Sequence, residues 1–485
     1  MNEHRIQAYV NLIQQLLACA TNGELNQILH QSIELVDEGF VQACEQMAQQ
    51  LQQAGEEQQA RFLRDRAQQV AAFLKQQPSG GEDESRETTG HATQEDYIYF
   101  LIDVLQATAE SENAPLVVYH LLEQNLDKLN LVLAEILPYW ACQIFNQVEE
   151  NEAEETFADI GRLATLIQQF PKGNPVNNQE IAIVCYGISL TVCTREQSQE
   201  RWATLQNDLG NAYRNRIQGE QGQNLEWAIA CYQAALQVRT RDAFPKEWAT
   251  ILNNLGAAYN NRIRKEPELN FQRSICCHEA ALQVFTQKGF PELWAATQIG
   301  LGNVYSNINY RERGLNPEHA IGCYKKALEV YTQKNFPKEW AMTQTNLGAA
   351  YGIRGEQVQN WKLEIDCYKK ASEVYTQTDF PKEWATTHNN LGAAYRNLSQ
   401  QEEAEQNLEL AIACYQDALQ VYTPNAFREQ WAGTKNNLGN AYCDLSQQEE
   451  PAQNLKFAIT CYQDALQVYT PNAFREQWAG TKNNL

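Results

Sequence analysis

Phe380-Pro381-Lys382-Glu383-Trp384-Ala385, then Asn389-Asn390-Leu391-Gly392-Ala393-Ala394-Tyr395, then Ala411-Ile412-Ala413-Cys414-Tyr415 is the stretch that decides the fold, because its parts recur at a fixed interval. Trp202, Trp248, Trp294, Trp340, Trp384, Trp431 and Trp478 stand 46, 46, 46, 44, 47 and 47 residues apart. Cys185, Cys231, Cys277, Cys323, Cys367, Cys414 and Cys461 keep the same step, and each but Cys277 is followed by Tyr. Asn178, Asn224, Asn270, Asn316, Asn360, Asn407 and Asn454 precede those cysteines by seven residues. Three residue types on one period mark stacked repeats rather than one globular core.

Each unit is predicted to be two helices. The first opens at Phe-Pro-Lys-Glu-Trp, where Pro suits the first helical turn and Glu complements the positive end of the helix dipole. The second is expected to start at the periodic Asn as its N-cap, as in Asn316-Pro317-Glu318. Ala228, Ile229, Tyr232, Ala235 and Leu236 then recur at helical spacing. Gly210, Gly256, Gly302, Gly348, Gly392 and Gly439 sit inside the first helix, where Gly costs about 1 kcal/mol relative to Ala. A close helix crossing would explain them, with Ala235, Ala281, Ala327, Ala371, Ala418 and Ala465 as the expected small partners. The fold class is all-α.

Leu209-Gly210-Asn211-Ala212-Tyr213 followed by Ala228-Ile229-Ala230-Cys231-Tyr232 resembles the tetratricopeptide repeat (TPR). That repeat has about 34 residues, so these units are long, like those of the kinesin-light-chain type. Phe-Pro-Lys-Glu-Trp-Ala-Thr with Asn-Asn-Leu-Gly-Ala-Ala-Tyr is similar to repeats of cyanobacterial TPR proteins, many of which continue into a caspase-like CHAT protease domain. The resemblance implies a right-handed superhelical solenoid with a concave inner face. It covers about 173–485, and the regions before it resemble the front of the same proteins.

Four regions are expected: a helical domain over 1–77, a flexible linker over 78–95, a second helical region over 96–172, and the solenoid over 173–485. Gly23, Gly39 and Gly55 are predicted turns in the first, while Pro115 opens a helix and Pro138 ends or kinks one in the third. Residues 153–170 serve as the divergent partner of the helix from Asn178 to Thr194. Residues 461–485 repeat 414–438, and the chain stops inside a first helix, giving about 6.5 units, truncated in the last. The expectation is a truncated version of a longer protein with an uncapped C-terminal helix open to self-association.

The net charge of -22 is concentrated early. Residues 1–170 hold 27 acidic and 8 basic side chains, a balance of -19, which leaves -3 for the rest. Such a front disfavours nucleic acid and anionic lipid as partners. No long apolar run and no basic-then-apolar leader occur, so neither a membrane span nor export is predicted and a cytoplasmic location is expected.

The search for chemistry points to a protein that is not an enzyme and that uses neither a cofactor nor a metal. Gly-Lys, His-Glu-x-x-His and Cys-x-x-Cys are all missing. No His is followed by Gly, so the motif that carries the base of a caspase-like dyad is missing. The periodic cysteines read as metal ligands, redox thiols or small packing residues, with packing favoured by their place beside a core Tyr. The tryptophans read as an aromatic pocket or as core at the unit joints, and core is favoured. Lys325-Lys326 and Lys369-Lys370 read as a solvated outer stripe.

One series carries a functional reading. Asn207, Asn253, Asn389 and Asn436 lie three residues before the periodic Gly; Asn211, Asn303 and Asn440 lie one residue after it; Ile299 and Thr345 interrupt the row. In the TPR fold these positions face the concave side. An Asn amide both donates and accepts, so a ladder of them suits an extended peptide backbone, and Arg214 and Arg396 one turn on suit acidic side chains of that peptide. The opposing reading is a solvated polar face copied by duplication. The expected function is a scaffold that binds a peptide or protein segment in the groove. The alternative, implied by the resemblance alone, is the sensor portion of a split or truncated CHAT-type protease, with that domain as a partner in cis or trans.

Overall fold

The structure, a computed structural model, describes residues 9, 12–13, 38–53, 63–64, 92–110, 115–145, 150–262, 266–311, 317–355 and 357–485. Two compact units are distinguished, Met1–Thr93 and Gln94–Leu485. In the first, α1 (Glu38–Gln53) buries Phe40, Cys44 and Ala48 against Tyr9, Leu12, Ile13 and Leu63. Gly39, expected as a turn, lies in the first turn of α1, an end position where Gly is well tolerated. The turns expected at Gly23 and Gly55, and most of the expected linker, fall outside the described residues.

The second unit opens with α2 (Gln94–Glu110), α3 (Pro115–Gln124) and α4 (Leu131–Phe145). Pro115 begins α3 as expected, and of the two expectations for Pro138 the helix end is not met: α4 runs on past it to Phe145. Paired helices follow. They are α5 (Glu150–Gln169) with α6 (Pro175–Val192), α7 (Gln199–Asn215) with α8 (Gln221–Leu236), and α9 (Pro245–Asn261) with α10 (Pro267–Leu282). Then come α11 (Pro291–Arg311) with α12 (Pro317–Leu328), α13 (Pro337–Arg354) with α14 (Val358–Ser372), and α15 (Pro381–Ser399) with α16 (Ala404–Val421). The last are α17 (Arg428–Leu445) with α18 (Pro451–Leu466), and α19 (Arg475–Asn484). Every described element is helical; no strand occurs among the described residues. From α5 onward each helix packs on its sequence neighbours, and from α5 to α17 successive first helices also touch one another. That closer approach puts the odd-numbered helices on the inner side of the stack.

Pro245, Pro337 and Pro381 occupy the first turn of α9, α13 and α15, where the missing N–H is no loss. The periodic Asn is not an N-cap. The second helices begin earlier, after Glu220, Glu266, Glu403 and Glu450, so Asn224, Asn270, Asn407 and Asn454 fall one turn inside. Their buried side chains reach back to the preceding loop: Nδ2 donates to Gln218 O (2.8 Å), Arg262 O (2.6 Å), Glu402 O (2.8 Å) and Glu449 O (2.9 Å) respectively. The loop needs this staple because Glu266, Glu403 and Glu450 adopt positive φ (46°, 43° and 36°), which is unfavourable for a side-chain-bearing residue. Asn316 lies outside the described residues.

The glycines mark close crossings, but their partner is an aromatic ring rather than the expected Ala. A Cβ on Gly210, Gly302, Gly392 or Gly439 would lie 2.7–2.8 Å from the ring of Tyr232, Tyr324, Tyr415 or Tyr462 on the second helix. The second-helix alanines instead meet the Ala beside each Trp: Ala281 packs with Ala249, Ala371 with Ala341 and Ala418 with Ala385. Sequence shows that small residues are required at both places but not which face which. Trp202, Trp248, Trp294, Trp340 and Trp384 are half-buried against these same clusters, in a packing role. The lysines are less free than expected, because Lys325 and Lys369 lie over the rings of Tyr351 and Tyr395 in the next unit.

Candidate binding face on the first helices

All nine residues singled out from sequence lie half-buried on odd-numbered helices: Asn207, Asn211 and Arg214 on α7, Asn253 on α9, Asn303 on α11, Asn389 and Arg396 on α15, and Asn436 and Asn440 on α17. They share a division of labour that the sequence did not reveal. Every Asn oxygen in the row is used inside the chain. Asn211, Asn303 and Asn440 accept from the hydroxyls of Tyr232 (2.8 Å), Tyr324 (2.7 Å) and Tyr462 (2.9 Å), which fixes the ring that fills the glycine notch. Others join units. Asn254 Nδ2 donates to Asn207 Oδ1 (3.2 Å), Asn346 Nδ2 to Asn303 Oδ1 (3.4 Å), Asn437 Nδ2 to Asn389 Oδ1 (3.3 Å) and Asn484 Nδ2 to Asn440 Oδ1 (3.0 Å). Thr434 and Thr481 donate to Asn389 and Asn436 in the same way.

The donors are left over. Among the described residues, the Nδ2 groups of Asn211, Asn253, Asn303, Asn389, Asn436 and Asn440 make no hydrogen bond within the chain. An amide whose oxygen is engaged presents two N–H donors and nothing else. The arginines stand differently: Arg396 Nε donates to Asp444 Oδ2 of the next first helix (2.6 Å), while Arg214 Nε is buried without a hydrogen bond. The joining role of Asn254, Asn346 and Asn437 was missed, although their recurrence two residues before the glycine was the available signal.

Two units depart from the pattern. In the α9/α10 pair His278 takes the place of Tyr, its Nδ1 donating to Asn253 Oδ1 (3.0 Å). The ring is wedged between Gly256 and Gly300, Nε2 has no partner, and burial pushes its pKa down to about 4. In the α13/α14 pair Glu364 stands where other second helices carry Ala228, Ala320, Ala411 and Ala458. It is only 6% exposed, a Cβ on Gly352 would lie 2.5 Å from its carboxyl, and burial pushes its pKa up to about 8.

Burial also raises the periodic thiols. Cys185, Cys231, Cys277, Cys367 and Cys414 are pushed up to about 12, and Cys323 and Cys461 to about 11, so none is a thiolate nucleophile at neutral pH. Among the described residues the only grouping with metal-ligand spacing is Glu405, Glu409 and Glu449, on the surface.

The family description Tetratricopeptide repeat matches residues 384–421, which run from Trp384 in α15 to the end of α16. Over those residues the chain is similar to a tetratricopeptide repeat. The remaining units carry the same residues at nearly the same spacing, so the stack is an all-α solenoid of the TPR type. Comparison with curated proteins gives no match. Among solved structures the chain is similar to BtubC (BKLC) from P. vanneervenii, with 19% identity over 50% of this chain and 90% of that one and a TM-score of 0.39. Yeast Tom70 gives 11% identity over 100% and 89%, with a TM-score of 0.43, and MamA gives 18% over 46% and 94%, with 0.30. No helix among the described residues is long and apolar enough to cross a membrane.

Proposed function

We propose that the inner face of the solenoid binds an extended protein segment by offering its backbone carbonyls, or its carboxylates, a row of carboxamide N–H donors. The observation that carries this reading is the split of every ladder Asn except Asn207: the oxygen holds the repeat together while Nδ2 makes no hydrogen bond among the described residues. A backbone carbonyl is present at every residue of a ligand, so such a row favours length and extension over particular side chains. Each donor contributes about 1 kcal/mol net, and a row of them reaches useful affinity only together. The protease-linked reading rests on resemblance alone, and no feature of the described residues adds to it.

The test separates oxygen from nitrogen. Asn303, Asn389 and Asn440 changed together to Asp keep the acceptors and remove the donors. Random-sequence peptides selected by phage display on the unaltered protein are expected to lose at least tenfold in affinity for the triple variant, with little change in its melting temperature. Unchanged affinity would make the ladder purely structural.

A further inference from the structure

The joint between α5 and α7 is built differently from the others. Thr165 meets the hydroxyl of Tyr186 (2.9 Å) as Asn211 meets Tyr232, which sets the register of α5. In that register Gly161 stands where Asn207 stands in the next unit, so α5 offers no side-chain oxygen at this step. The residue that should donate to it has changed too. Asn254, Asn346, Asn390 and Asn437 occupy this place in other first helices, but α7 carries Asp208. Donor and acceptor have been removed together, and a cavity of about 420 Å³ opens between the two helices.

The cavity has apolar walls from Phe157, Val192 and Leu205, and Asp208 also lines it. Asp208 Oδ1 accepts from Asn207 Nδ2 (3.0 Å), and among the described residues Oδ2 makes no hydrogen bond. Burial pushes the carboxyl up to about 6, and among the described residues the hydrogen bond from Asn207 is what opposes that rise. Of the other charges at the cavity, Arg162 is paired with Asp159, on which Arg201 also acts, and Glu154 lines the same cavity. Counting Asp159 with its partner, two positive and three negative groups leave one negative charge. The volume lies within the range of small-ligand sites, and an aliphatic stem ending in a cation satisfies both the walls and the carboxylate.

We propose that this cavity is a subsite for a basic side chain, Lys or Arg, of a bound segment, with Asp208 as its counter-ion. The subsite deepens the groove reading by adding a side-chain specificity at one joint, yet its test needs no partner protein. The full chain is titrated with N-acetyl-lysine N-methylamide and, separately, with the neutral N-acetyl-norleucine N-methylamide, while the Leu205 and Val192 methyl signals are followed by NMR. The lysine probe is expected to bind about tenfold more tightly, as one buried charge-assisted contact implies. That preference should grow as pH rises through about 6, where Asp208 ionises, and should vanish in Asp208→Asn. Asn fits this place in four other helices, so the variant should fold, and the pH profile of the unaltered protein tests the same point independently. Equal binding of the two probes, or shifts that leave Leu205 and Val192 unmoved, would overturn the subsite. Either result leaves the ladder test untouched, because that test reads donors on α11, α15 and α17.

Discussion

The joint of α15 with α17 and the joint of α5 with α7 share one backbone plan and differ in what crosses them. At the first, Asn389 receives hydrogen bonds from Thr434 and Asn437, and Arg396 pairs with Asp444. At the second, Gly161 and Asp208 exchange nothing and a cavity lies between the helices. A repeat array supplies its own controls, so a departure at one copy is measured against the others. The lesson is that regular joints report on stability, whereas irregular ones locate chemistry.

The largest expected effect strikes the glycine notch shared by α7, α9, α11, α13, α15 and α17. Gly392→Val would drive a branched side chain into the ring of Tyr415, where even a Cβ sits at 2.8 Å, and should destabilise by about 3 kcal/mol in chemical denaturation. At Gly161, which lies in the Asn207 register, a Cβ would meet Leu205 Cδ2 at 2.9 Å, the end of a flexible side chain, so Gly161→Ala should be milder. Similar losses at both glycines would break the distinction.

Next comes Asn407→Ala, which orphans Glu402 O beside the positive-φ Glu403 and should lower stability by about 2 kcal/mol. A helix-capping role would instead place the larger effect at Glu403, so the two substitutions decide between staple and cap.

Glu364 sharpens the comparison through pH. Its carboxyl has an ordinary value of 4.5 and is raised by burial to about 8, so the native state holds a proton that the unfolded state has lost. The contribution of Glu364 to stability therefore falls as pH rises from about 4.5 to about 8 and levels off above, by a few kcal/mol at most, while buried His278 acts in the opposite sense below about 6.5. Glu364→Ala, the residue of its sister units, should flatten that slope in urea melts. A slope that survives would place the buried charge elsewhere.

The smallest energetic effect is at a single rung. Asn389→Ala should cost about 1 kcal/mol, and a double-mutant cycle with Asn437→Ala should show coupling of about 0.5 kcal/mol or more. No coupling would mean that the rungs do not join the units.

Much of this was legible in the sequence, for identifiable reasons. The helix pairs, the Pro starts and the packing role of Trp follow from period and composition, which local physics reads directly. The N-cap assignment of Asn407 failed because the length of the preceding loop decides where a helix begins, and loop length is invisible when Asn favours both positions. The partner of Gly392 was misjudged because a missing side chain announces closeness without saying what approaches. The ladder positions were visible, but the opposite fates of oxygen and nitrogen needed the neighbouring helix. Asp208 stood in an Asn register throughout; only the contact of Thr165 with Tyr186 aligned Gly161 opposite it.

The most direct measurement observes the Asn side-chain NH2 signals of the full chain by selectively labelled NMR while a display-selected peptide is added. The account predicts downfield shifts for Asn303, Asn389 and Asn440, whose donors are free, and none for Asn346 and Asn437, whose donors already join the units. Shifts confined to Asn346 and Asn437, or absent from all five while the peptide is bound, would contradict it.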